Sequence, residues 1–104
     1  MVSMKFTVKA KNENIIRIAR RIGYRILDFN SQTNEYNLVS PVGGGYYPRF
    51  HIYLKKDEKT GDLYLNLHLD QKKPSYKGSP AHSGEYDGEL VQEEVKRIEA
   101  FLST

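Results

Sequence analysis

There is no cysteine anywhere in the 104 residues. A disulfide scaffold, a thiolate-bound zinc and a thiol nucleophile are therefore excluded. Long apolar runs are missing too, and none approaches the roughly 20 residues that a membrane-spanning helix needs. The opening MVSMKFTVKAK alternates and lacks the continuous apolar stretch of a signal peptide. A cytoplasmic protein with no membrane partner is the expectation. Acidic residues are scarce at one end: up to position 27, Glu13 stands alone against Lys5, Lys9, Lys11, Arg17, Arg20, Arg21 and Arg25. The far end reverses this, with Glu85, Asp87, Glu89, Glu93, Glu94 and Glu99 against Lys96 and Arg97. Such asymmetry marks either a polyanion-binding end or two elements that neutralise each other side by side.

What is present suffices for one folded domain spanning residues 1–104. Hydrophobic residues make up 38%, too many for a disordered chain, and eight tyrosines supply most of the aromatic content. Met4 to Ala10 alternates in the manner of a strand with one buried face. Ile15, Ile18, Ala19 and Ile22 follow at helical spacing, with Asn12 or Asn14 placed to cap and Gly23 to terminate. The segments 24–30 and 35–41 read as two strands. Residues 89–102 read as a final helix with the stripe Val91, Val95, Ile98 and Leu102, capped by Asp87.

Two links share one form: Asn30-Ser31-Gln32-Thr33-Asn34-Glu35 and Asp57-Glu58-Lys59-Thr60-Gly61-Asp62. Each begins with Asx, whose side chain can bond forward, and puts Asn or Gly fifth, where the left-handed conformation is tolerated. Each therefore closes a hairpin. With Asp57 opposite Asp62, one face of the second hairpin pairs Lys56 with Leu63, Leu54 with Leu65, Ile52 with Leu67 and Phe50 with Leu69. The other pairs Lys55 with Tyr64, Tyr53 with Asn66, His51 with His68 and Arg49 with Asp70. The first hairpin, treated alike, pairs Leu27 with Leu38 and Phe29 with Tyr36. The expected fold is α+β, ordered β-α-β-β-β-β-α. It is an antiparallel meander with both helices on one face and the other face open.

That open face is the candidate site. Histidines directly opposite on adjacent strands have β-carbons about 5 Å apart. His51 and His68 could act there as an acid and base pair, or hold a metal with Asp70 or His82 as third ligand. No metal-ligand spacing such as H-E-x-x-H occurs, so no metal or cofactor is assigned. Arg49 and Lys55 favour an anion, and Tyr53 and Tyr64 offer stacking surfaces. His82 lies in the segment 71–88, QKKPSYKGSPAHSGEYDG, whose prolines, glycines and serines argue against regular structure. PVGGGYYP (41–48) lacks the ending of a phosphate-binding P-loop and reads as a flexible connection.

The segment NLHLDQKKPSYKGSPAHSGEYDG (66–88) resembles a family of short bacterial proteins of no known activity, over about Gly23 to Phe101. More loosely, the first helix, Gly23-Tyr24 and the following hairpin resemble the start of the HicA-type toxins. Those toxins have a double-stranded-RNA-binding-like fold and cleave mRNA. Their histidine follows a glycine and serine in the second-strand region, where this chain reads NEYNLVS. That resemblance implies the fold and not the cleavage. The leading functional expectation is nucleic-acid binding, of RNA or another phosphate-bearing ligand, on the His/Arg/Tyr face. A histidine-dependent hydrolase or nuclease comes second. A protein-interaction domain, dimerising through the open face, comes third.

Overall fold

The computed structural model describes residues 3–9, 13–71 and 84–103, with the side chains of 84–87 left aside. Its elements are β1 (Ser3–Val8), α1 (Ile15–Ile22), β2 (Arg25–Asn30), β3 (Glu35–Pro41), β4 (Arg49–Lys56), β5 (Leu63–Asp70) and α2 (Gly84–Leu102). All five strands form one antiparallel sheet in the order β1-β5-β4-β3-β2. The last four strands make the expected meander, and β1 returns to pair with β5. Among the described residues no helix is long and apolar enough to cross a membrane.

Both helices lie on one face. Ile15, Ile18, Ala19 and Ile22 of α1 and Val91, Val95, Ile98 and Leu102 of α2 are buried in one cluster with alternate residues of the strands. These include Leu38, Ile52, Leu54, Leu63, Leu65, Leu67 and Leu69. Burying each such large side chain contributes about 1.5–3 kcal/mol. Asn14 caps α1, its Oδ1 accepting from the Ile16 N–H at 2.7 Å. Gly23 ends it at φ 82, in the left-handed region open to glycine. The alternative cap, Asn12, lies outside the described residues.

Both hairpin turns take the shared form. Asn30 Oδ1 accepts from the backbone of Gln32 and Thr33, and Asp57 Oδ1 from that of Lys59 and Thr60. The fifth residues, Asn34 and Gly61, have φ of 59 and 80. Every β4–β5 pair expected from the turn is present.

Two expectations fail. Leu27 does not face Leu38; Ile26 does, because a β-bulge between Ile26 and Asp28 inserts one residue. The bulge turns Leu27 outward, 44% exposed, and restores the expected Phe29–Tyr36 pair, whose ring centroids are 4.6 Å apart. The second failure is at α2, which starts at Gly84 rather than at residue 89. Asp87 is therefore inside the helix, not its cap, and residues 84–88 of the segment expected to be irregular are helical. Residues 72–83, with His82, lie outside the described residues.

The two helices meet at their C-terminal ends, where unpaired carbonyls concentrate negative charge. Each helix sends an arginine to the other's last carbonyls. Arg21 donates to Phe101 O at 2.7 Å and Arg97 to Ile22 O at 2.6 Å. Arg21 also pairs with Glu13 at 2.8 Å. The basic first helix thus meets the last helix through its backbone, while Arg17 and Arg20 stay exposed.

Candidate functional site

On the face away from the helices, β4 presents Arg49, His51, Tyr53 and Lys55, and β5 presents Tyr64, Asn66, His68 and Asp70. Alternation alone dictates this, since the residues between them are in the core. β1 adds Lys5 opposite Asn66 and Thr7 opposite Tyr64; β3 adds Asn37 opposite Tyr53 and Glu35 opposite Lys55.

The face has two parts. At one end Asp70 is the hub. Its Oδ2 is 3.0 Å from His51 Nδ1 and accepts from Arg49 Nε at 3.2 Å; its Oδ1 is 3.2 Å from His68 Nε2. The far side of His51 is engaged as well, with Nε2 3.0 Å from Asn37 Oδ1. The His51 and His68 rings are 4.8 Å apart, and Tyr53 lies 4.6 Å from the first and 5.3 Å from the second. Only 8% of the His68 side chain, 12% of His51 and 15% of Arg49 meets solvent. Burial pushes the His68 imidazole below its ordinary pKa, and His51 adds to this, while Asp70 opposes both. The Arg49 guanidinium stacks over the Tyr47 ring at 4.8 Å. The Asp70 carboxylate offsets the Arg49 charge here.

Beyond Tyr53 lies the second part, a shallow concavity of about 340 Å³. Lys5, Thr7, Tyr53, Lys55, Tyr64 and Asn66 line it, with Glu35 at the side. Lys5, Lys55 and Tyr64 are exposed. The Asn66 Oδ1 is buried without a hydrogen-bond partner among the described residues.

The structure thus gathers His51, His68, Asp70, Arg49 and Tyr53 at one end and Lys55, Tyr64 and Tyr53 at the other. Arg49 and Asp70 neutralise each other, which the sequence reading did not count. Lys5, Thr7 and Asn37 were missed. Lys5 and Thr7 come from β1, whose polar alternation was legible but whose neighbour was not. Asn37 comes from β3, and only the β3–β4 register brings it to His51. At the β2–β3 side of the sheet, a cavity of about 740 Å³ is lined by Tyr24, Val39 and Tyr46, so the glycine-rich connection lies along that side. No protein-family model, curated protein or solved structure matches the chain, so geometry alone carries the functional reading.

Proposed function

We propose that this domain binds RNA or another phosphate-bearing ligand on the sheet face, in the concavity between Lys5 and Lys55. The observation that carries the proposal is that lining. Two tyrosines offer stacking surfaces, and two exposed lysines flank them on strands two apart, about 10 Å across the sheet. Aromatic platforms between backbone-tracking cations suit single-stranded nucleic acid, because every base has a face to stack and every linkage a charge to meet. Arg49 belongs to the support of the face rather than to its cationic rim, since Asp70 holds it.

The test is fluorescence anisotropy with a labelled single-stranded RNA across a salt series. Tyr64→Ala should cost about 1–3 kcal/mol of binding, the contribution of one stacked base. Lys55→Ala should reduce the slope of log affinity against log salt by about 0.7, one phosphate contact on a single strand. Affinity unchanged in Tyr64→Ala and in the Lys5→Ala, Lys55→Ala double variant would refute the proposal.

A histidine-dependent nuclease is the second reading. What favours it is the adjacency of His51 and His68 to the concavity through Tyr53. In it, His68, shifted toward its neutral form, is the base. Cleavage that persists in the His51→Gln, His68→Gln double variant would exclude it.

A further inference from the structure

The hydrogen bonds around His51 determine which of its nitrogens carries a proton, and that points to a cation. Asn37 Nδ2 donates to Asp28 Oδ1. The reverse amide orientation would set Asn37 Oδ1 against a carboxylate, so Oδ1 must face His51. The Nε2 of His51, 3.0 Å away, is therefore a protonated donor. In the neutral ring this leaves the lone pair on Nδ1, which faces Asp70 Oδ2 at 3.0 Å. Two lone pairs cannot stably face each other at that distance. Something positive belongs between them: a proton or a metal ion.

We infer that His51, His68 and Asp70 form a site for a divalent transition metal of the zinc class. One ligand atom from each lies within 4.8 Å of the others. His68 Nε2 approaches the second Asp70 oxygen at 3.2 Å, so the carboxylate spans both imidazoles. Metal–ligand bonds of about 2.0 Å in a tetrahedron put neighbouring ligand atoms roughly 3.3 Å apart. The two nitrogen–oxygen separations here, 3.0 and 3.2 Å, are to different Asp70 oxygens and come within tenths of an ångström of that edge. The full set, which spans up to 4.8 Å, closes on one ion by drawing its side chains in by about an ångström or more. Two imidazoles and one carboxylate suit zinc and its neighbours rather than calcium or magnesium, which prefer all-oxygen shells. Three protein ligands leave a position for water.

The surroundings fit this assignment. A metal-bound histidine ordinarily donates its other N–H to an oxygen acceptor, as His51 does to Asn37 and, through it, to Asp28. Ligating carboxylates are themselves hydrogen-bonded, as Asp70 is by Arg49. The inference is independent of nucleic-acid binding, and its test contains no RNA.

The experiment strips the 104-residue protein with a chelator and titrates it with cobalt(II), followed by zinc competition. Expected are one ion per chain, the intense visible absorption of low-coordinate cobalt, and perturbation of the His51 and His68 ring signals together in NMR spectra. His68→Gln and Asp70→Asn should each weaken binding at least about tenfold. Asn37→Ala, which keeps all three ligands, should weaken it about 10- to 100-fold. Amide spectra establish that each variant folds, and the wild-type ring signals decide the matter even if one does not. No binding, ring perturbations elsewhere, or affinity undiminished in both His68→Gln and Asp70→Asn would overturn the site and leave a proton shared between His51 and Asp70.

Discussion

Asp70 and Glu94 organise the polar groups on opposite sides of the sheet, and Glu94 works because its partners are donors. Glu94 is 8% exposed and accepts from the Tyr24 hydroxyl at 2.6 Å and from Arg97 at 2.7 and 2.8 Å. Burial, followed by the Glu94 charge, drives the Tyr24 hydroxyl far above its ordinary pKa, so it remains a donor. The bond to Glu94 likewise raises Arg97. Tyr24→Phe removes one hydrogen bond to a charged acceptor and leaves the Arg97 pair. It should lower unfolding free energy by about 1.5–3 kcal/mol in urea denaturation. A neutral result would mean that Arg97 alone satisfies the carboxylate.

At the scale of elements, turns and faces were legible and local irregularities were not. The Asx-Thr-Gly/Asn pattern revealed both turns, and the second turn then ordered the whole β4–β5 face, including His51 opposite His68. The β2 bulge was hidden because Ile26 and Leu27 are both apolar, so alternation carried no parity there. The start of α2 was hidden by the two glycines in GEYDG, which read as loop. Within the site, the cross-strand pairs were legible, whereas Lys5 and Asn37 depended on strand neighbours that no turn specified. Two predictions belong at this scale. Ile26→Ala should cost about 2 kcal/mol or more, since Ile26 packs on the core, while Leu27→Ala should cost under about 1 kcal/mol. The reverse ranking would restore the simple alternation without the bulge. The second concerns acid. Backbone bonds from Lys59 and Thr60 hold the Asp57 carboxyl below its ordinary pKa. The stability that Asp57 contributes is thus complete above its unfolded pKa of about 3.9 and is lost as pH falls through the lower folded value. Asp57→Asn keeps the turn bonds, as Asn30 does in the first turn, but does not titrate. Urea midpoints between pH 5 and pH 3 should fall further in the wild type than in Asp57→Asn; parallel curves would contradict the assignment.

The whole molecule divides its labour by face. One side of the sheet is a core with two helices joined at their C-terminal ends by reciprocal arginines. The other carries an ordered network around Asp70 and, one strand-step along, a tyrosine- and lysine-lined concavity. The network holds Tyr53 through its two histidine neighbours, and Tyr53 is also a wall of the concavity, so rigidity at one end positions the other. The most direct measurement is an NMR titration of isotope-labelled protein with a short single-stranded RNA at low and moderate salt. Shifts concentrated on Lys5, Tyr53, Lys55, Tyr64 and Asn66, weakening with salt but keeping their location, are the result this account predicts. Shifts confined to the exposed face of α1 at Arg17 and Arg20, or none at all, would contradict it.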